Sequence, residues 1–445
     1  MIKDLTQGKP GSVLLRYSLP LFGSIIFQQL YNIADSFVAG RYIGTEALSA
    51  VGNAYELTLV YIAFAFGCNI GASVVVARQF GFKDYRSVKT SVYTALIASG
   101  VIGAALTGLG LVFAPALLRV IQTPDEIFAN SLEYLIIYIG GFLFVLIYNI
   151  STGVFSALGD SRTPFIFLAI SSVANVFVDI LFVRNFEMGV AGVAWATFLC
   201  QGLSGVTALA LMLRRVGAIH SDGPARVFDA KTLGQLAGVA VPCILQQGFI
   251  SVGNVVVQSI INGFGTAAIG GYAAAVKLNN MAVTSITALG NGMSNYTAQN
   301  AGAQRPDRIK RGYRSGLLLG CGMALLFTAL FLALGGAFVG LFITDGNQVA
   351  AQIGCRFLRV VSPFYCVVAA KLITDGVLRG ASRMWMFMLA TLTDLLVRVV
   401  CSYLFSIPLG IDGVWLSWPI GWVIGTAMSV ALYFAAKKKN FSLAP

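Results

Sequence analysis

Long apolar runs separated by short polar stretches fill the chain. A helix needs roughly 20 mostly apolar residues to cross the hydrocarbon core of a bilayer. Runs of that length or more lie at Leu14–Ala39, Ala47–Ala77, Val88–Ala114, Leu132–Ala157, Thr163–Val183, Val190–Leu213, Leu233–Ile261, Ala267–Gln299, Gly312–Gly340, Ala350–Leu378, Met384–Phe405 and Gly413–Ala436. A lipid-exposed segment has to satisfy its backbone hydrogen bonds internally. The pattern therefore predicts an all-α polytopic membrane protein with twelve transmembrane helices. Several runs exceed the minimum, which predicts tilt or protrusion into water.

The pattern also repeats. Gly44-Thr45-Glu46-Ala47 matches Gly265-Thr266-Ala267-Ala268 at an offset of 221 residues (265 − 44). The same offset pairs Gly71 with Gly292, Gly159 with Gly380, Ser161-Arg162 with Ser382-Arg383, and Gly192-Val193 with Gly413-Val414. Pro20 pairs with Pro242 after one residue of slippage. An even number of crossings per half keeps both halves in one orientation, so the repeats are parallel. The expected organisation is an amino lobe of six helices at 1–213, a cytoplasmic linker at 214–231, and a carboxy lobe of six helices at 232–445. Two pseudo-symmetric bundles are the architecture of an alternating-access transporter.

Composition narrows the class. The chain is 57% hydrophobic and 11% charged, whereas a soluble domain carries about 25% charged residues. A net charge of +12 raises nucleic acid as a partner, but the basic residues are spread over many short loops. Arg78, Lys83, Arg86 and Lys89 follow the second run, Arg214, Arg215, Arg226 and Lys231 the sixth, Arg305 to Arg314 the eighth, and Lys437 to Lys439 the twelfth. They read as topology determinants, so no nucleic-acid partner is expected. Both termini are expected in the cytoplasm. The seven cysteines form no CxxC pair and His220 is the single histidine, which argues against a histidine-based metal site or triad. No cleavable signal peptide is expected.

Polar residues inside the apolar runs carry the candidate chemistry. The stretch Pro20–Asp35 is polar at Gln28, Gln29, Tyr31 and Asn32 and ends on a carboxylate within its hydrophobic segment. Intramembrane ionisable residues are functional-site hypotheses by default. Pro20 removes a backbone donor and is the candidate hinge. In the fifth run Asn175 and Asp179 are four apart and share a helix face. Asp35 and Asp179 lie about one turn from the same end of their runs, with Thr197 nearby in depth and Asn149 deeper. Two carboxylates, amides and a hydroxyl suit a shared proton or a Na⁺ ion at Asp35 and Asp179; the alternative is interhelical hydrogen bonding without coupling.

The second half differs. The 221 offset sets Val400 opposite Asp179, and the remaining charges are Lys371, Asp375, Asp394 and Arg398. Lys371 with Asp375, and Asp394 with Arg398, are each four apart and read as neutralised helical pairs. Glu56 and Lys277 occupy matching repeat positions and are candidates for a bridge or a substrate contact. The aromatics and methionines Phe64, Phe66, Tyr148, Phe155, Met281 and Met293 are candidate cavity linings, with ordinary packing the alternative.

With these residues in view, the chain resembles the multidrug and toxic compound extrusion (MATE) family of the MOP flippase superfamily, nearer the DinF-like than the NorM branch. The resemblance rests on Pro20–Asp35, the GxxALSAVG-like stretch at Gly44–Gly52 and the ALGDSRTP stretch at Ala157–Pro164, and covers essentially the whole chain. Asn149, Asn175, Asp179 and Thr197 resemble the family's amino-lobe cation site. The NorM branch also uses acids in the seventh and tenth helices; here the seventh carries Gln246, Gln247 and Asn254 but no acid. The resemblance implies antiport of small organic, often cationic or amphipathic compounds against H⁺ or Na⁺ across a bacterial plasma membrane. No cofactor, no enzymatic activity and a monomer in the bilayer are expected. Gln28, Tyr31, Asn32, Glu56, Tyr148, Lys277 and Met281 are the expected substrate-cavity set. The alternative is a flippase for lipid-linked saccharides or an exporter of one metabolite.

Overall fold

The structure, a computed structural model, describes residues 3–38, 42–43, 45–343 and 347–438; the side chains of 29–38, 45–48 and 438 lie outside the description. Among the described residues the chain is helical, with no strands. In order, the helices are α1 (Pro10–Val38), α2 (Thr45–Gly81), α3 (Tyr85–Val120), α4 (Asp125–Gly140), α5 (Phe142–Ala157), α6 (Arg162–Ile180), α7 (Gly189–Gly217), α8 (Ala230–Asn262), α9 (Thr266–Gly302), α10 (Pro306–Gly340), α11 (Gln348–Val361), α12 (Tyr365–Gly380), α13 (Met384–Leu409) and α14 (Ile411–Lys438). They form twelve long helical stretches, as the apolar runs predict.

Two stretches are broken, at equivalent places. α4 and α5 meet at a 47° bend around Gly140-Gly141, a dipeptide that weakens a helix. α11 and α12 meet through a single turn at Ser362–Phe364, where Pro363 cannot donate. Position 362 is Gly141 advanced by the repeat offset of 221. The turns after α2 and α9 match in the same way: Lys83 and Gln304 both adopt left-handed backbone, with φ of 62° and 54°.

By contacts, the chain divides into two compact units. One comprises Met1–Asp4 and Leu19–Ile244, the other Leu5–Ser18 and Leu245–Pro445. The divisions fall inside α1 next to Pro20 and inside α8 next to Pro242, rather than in the polar linker.

In the amino unit, α5 packs closely on α2 because Gly153 carries no Cβ, which would lie 2.6 Å from the Asn69 carbonyl oxygen. Asn69 Nδ2 in turn donates to the Asn149 carbonyl at 2.7 Å and to Thr152 Oγ1 at 3.1 Å. In the carboxy unit the equivalent pair, α9 and α12, approaches through Gly376 against the Gly290 carbonyl.

Surface polarity is inverted relative to a soluble protein. On α6 the buried residues are Thr163, Pro164, Ser172, Asn175 and Asp179, while Ile166, Ile170, Val173 and Phe177 are 49–70% exposed. A helix in lipid turns its polar face inward because hydrocarbon offers no hydrogen bonds.

The ALGDSRTP stretch forms the entry to α6. The carboxylate of Asp160 accepts from the Thr163 N–H at 3.1 Å and Oγ1 at 2.8 Å and is paired with Arg215, whose guanidinium lies 5.3 Å from the centre of the Phe155 ring. Burial pushes the Asp160 carboxyl up, but the hydrogen bonds it accepts, those from Thr163 and Arg215 among them, together hold the pKa below the usual value. A depressed native pKa stabilises the fold above the unfolded carboxyl pKa, and the contribution is lost as pH falls through the native value. Asp160→Ala is expected to lower the thermal midpoint at neutral pH by removing the acceptor of the Thr163 hydrogen bonds and stranding Arg215, a loss of about 1–3 kcal/mol. The gap from the unmodified protein should narrow as pH falls into the acidic range; a pH-independent gap would show that the charge of Asp160 contributes nothing.

Candidate functional site

Of the candidate coupling residues whose side chains are described, Asn175, Asp179 and Thr197 lie on α6 and α7, and Asn149 lies on α5. Asp179 is 0% and Asn175 1% exposed, on the inward face of α6, and Thr197 on the adjoining α7 is 9% exposed. Immediately after Asp179 the helix widens into a π turn at Leu181–Asn185, a distortion often found at functional sites. Asn175, Asp179 and Thr197 each engage a partner.

Asp35, Tyr31 and Asn32 lie on α1, but their side chains lie outside the described residues. Gln28 is exposed, and Pro20 lies within a continuous α1, its carbonyl accepting from Ser24 Oγ at 3.0 Å.

Asn149 stands apart chemically: its Nδ2 donates to the Val145 carbonyl at 2.9 Å on its own helix. Tyr148 is half-buried, Met281 is 39% exposed, and Glu56 is exposed. Lys277 sits 5.5 Å from the centre of the Phe342 ring. Phe155 and Met293 are 1% and 0% exposed. They are core side chains, Phe155 beneath Arg215, and do not line a cavity.

The carboxy unit holds a buried ionic cluster that differs from the expected pairs. Lys371 and Asp375 pair at 2.8 Å, and Ser429 Oγ donates to the other carboxylate oxygen at 2.6 Å. Asp394 lies 3.8 Å from Lys371, so one ammonium serves both acids. Asp394 does not pair with Arg398. The guanidinium of Arg398 instead stacks over Trp418, 4.5 Å from the ring centre. The reason lies in α14: a Cβ on Gly425 would meet Asp394 Cβ at 2.6 Å and Lys371 Cε at 3.1 Å. That absence of side chain lets α13 bring Asp394 towards α12.

Burial also corrects the repeat register here. Val400 is 52% exposed and cannot be the counterpart of buried Asp179. An offset of 223 (402 − 179) superimposes the buried faces instead: Ser172 on Leu395, Asn175 on Arg398 and Asp179 on Ser402. Both stretches end at equivalent left-handed glycines, Gly189 and Gly410, with φ of 60° and 61°. Ten residues lead from Asp179 to Gly189 but eight from Ser402 to Gly410, and the extra length in the first half includes the π turn. Thr197, five residues after Gly192, corresponds to Trp418, five after Gly413.

The MatE family model matches twice, at residues 20–181 and 242–404. The two matches begin on Pro20 and Pro242 and their ends are offset by 223 residues (404 − 181), the register that burial gives. The chain belongs to the MatE family of membrane transporters. Among curated relatives, it is 25% identical to "Probable multidrug resistance protein YpnP" of Bacillus subtilis, over 99% of this chain and 98% of the relative. It is 26% identical to the "FAD transporter" of Shewanella oneidensis, over 96% and 94%. Among solved structures, a MOP superfamily transporter from Pyrococcus furiosus superimposes with a TM-score of 0.93 at 21% identity, covering 99% of this chain and 98% of that one. An outward-facing multidrug resistance MATE transporter gives 0.91 at 22%, covering 98% of each chain. The shared fold has twelve transmembrane helices in two lobes.

The geometry ranks the acids of the carboxy unit. Removing one member of a buried pair strands its partner, at about 3–5 kcal/mol. Asp375→Asn should cost that much in unfolding free energy and reduce folded yield sharply. Asp394→Asn, at 3.8 Å from Lys371 and 15% exposed, should cost about 1 kcal/mol. Unfolding in detergent reads both; a reversed order would contradict the assignment of Lys371 chiefly to Asp375.

Proposed function

We propose that the protein is an H⁺- or Na⁺-coupled antiporter that exports small organic compounds across the plasma membrane by alternating access, with both termini in the cytoplasm. The observation that carries this reading is Asp179: a fully buried carboxylate on the one polar face of a lipid-exposed helix, beside Asn175 and before a π turn. A buried carboxylate is costly, so its retention there calls for a role that uses its charge. In this reading Asp35 and Asp179 share the coupling ion, Asn175 and Thr197 supply neutral ligands, and Asn149 supports the site. The proposed hinge is Pro20. The names of the relatives, multidrug resistance and FAD transport, support an organic cargo. The acids of the carboxy unit support the same assignment from the other side, because Lys371 and Ser429 already engage Asp375.

Two nearby carboxylates repel, so the empty site binds a proton or Na⁺. Loading it neutralises the pair and lets α1 bend at Pro20. Ion and substrate then each weaken the other's binding, by reciprocity.

Efflux from proteoliposomes with pH and Na⁺ gradients imposed separately tests the reading. Asp179→Asn and Asp35→Asn are each expected to abolish gradient-driven efflux, by at least about ten-fold, while the protein stays folded in the membrane. Normal gradient-driven efflux by both folded variants would remove this site from the mechanism.

A further inference from the structure

α1 and α8 open the two halves of the repeat, and both change partners along their length. The N-terminal half of α1, up to Ser18, belongs to the carboxy unit, and that of α8, up to Ile244, belongs to the amino unit. Each change of unit lies within two residues of a proline, Pro20 or Pro242.

The packing matches in the two units. The N-terminal half of α1 lies on α9, where a Cβ on Gly292 would meet Ser18 Oγ at 2.6 Å and Asn295 Nδ2 donates to the Tyr17 hydroxyl at 2.9 Å. The N-terminal half of α8 lies on α2, where a Cβ on Gly71 would meet Ala240 Cβ at 2.9 Å and one on Gly67 would strike Ile244. Gly71 and Gly292 are repeat equivalents. Past the prolines each helix returns to its own half. Gly23 of α1 abuts Phe165 of α6, and Phe27 packs on the same ring with centres 5.7 Å apart. Gly253 of α8 abuts Leu395 of α13, and Gln246 donates to Thr391 Oγ1 at 3.4 Å.

The polar segments leading into the two helices follow the same plan. Before α1, the Leu5 N–H donates to Gln299 Oε1 at 2.8 Å, Arg308 to the Gly8 carbonyl at 2.9 Å, and Arg305 to the Thr6 carbonyl at 3.0 Å. These partners lie at the junction of α9 and α10. Before α8, Arg86 donates to the Pro224 carbonyl at 2.9 Å, and the N–H groups of Arg226 and Asp229 donate to the hydroxyls of Thr90 and Thr94 at 3.2 Å each. These partners lie on α3, the repeat equivalent of α10. Backbone groups satisfied in this way tie both lead-ins down, so neither is a slack tether.

A proline removes one helical hydrogen bond and marks a place where a helix bends. We infer that α1 and α8 are a matched pair of hinged helices: the N-terminal half of each moves with the other half of the repeat, and the bends fall at Pro20 and Pro242. Arg308 and Arg86 are positioning residues that clamp the lead-ins to the helices that carry them. This deepens the alternating-access reading, on which it rests, and adds a second hinge to the one at Pro20.

Cross-links within each moving body test it in the full-length protein. A Cβ on Gly11 would lie 3.5 Å from Ser315 Cβ, within the reach of a disulfide. Gly11→Cys with Ser315→Cys ties α1 to α10, and Thr90→Cys with Arg226→Cys ties the lead-in of α8 to α3. Both double variants are oxidised in proteoliposomes beside the unmodified protein, which has seven cysteines of its own. The initial rate of cross-linking is expected to be the same with and without an imposed pH or Na⁺ gradient. Efflux of ethidium, an organic cation, should stay within about two-fold of its rate after reduction. A cross-linking rate that falls when a gradient is imposed, or efflux lost on oxidation and regained on reduction, would overturn the inference. Ethidium efflux absent from oxidised and reduced protein alike would count against the transport reading, and the cross-linking rates alone would then decide the inference.

Discussion

A charge buried among helices in a bilayer has to be compensated where it lies, because neither lipid nor a distant loop can do it. This constraint organises both halves of the molecule. It turns the polar face of α6 inward and leaves Ile170 and Phe177 on the outside. It draws Asp375 and Asp394 onto one lysine. In the carboxy unit two acids gather on one lysine, and in the amino unit Asp179 lies on the inward face of α6 with Asn175.

The two halves share a scaffold and diverge in chemistry. Their frame is similar at the interruption of the fourth stretch, at the left-handed turns of Lys83 and Gln304, and at the glycine approaches of α2–α5 and α9–α12. On that frame Asp179 becomes Ser402 and Asn175 becomes Arg398. The repeat supplies two bundles of one plan, and a few inward-facing differences give each bundle its own electrostatics. The inward-facing chemistry of the two bundles thus differs without any change of fold.

Much of this was legible in the chain. Apolar length gave the twelve stretches, recurrence of glycines gave the repeat, and the spacing of Lys371 and Asp375 gave the pair that forms. Three features were hidden for physical reasons. A spacing of four shows which residues share a helix face but not which neighbouring helix comes closer, and Gly425 decides that Asp394 turns to Lys371 rather than to Arg398. Register within α13 depends on how α6 absorbs extra residues in a π turn, which leaves no mark in composition. The packing divisions fall inside α1 and α8, where both helices are continuous and apolar. The tryptophans of α14 carried a readable signal, since Trp415, Trp418 and Trp422 recur at helical spacing.

The central claim is that Asp179 belongs to an ion site whose occupancy opposes substrate binding. Substrate affinity of the purified protein, measured across pH and Na⁺ concentration beside the folded Asp179→Asn variant, tests it most directly. The account predicts that substrate binds the unmodified protein more weakly as H⁺ or Na⁺ rises, and that this dependence flattens in the variant. A variant that retains the full ion dependence of the unmodified protein would contradict it.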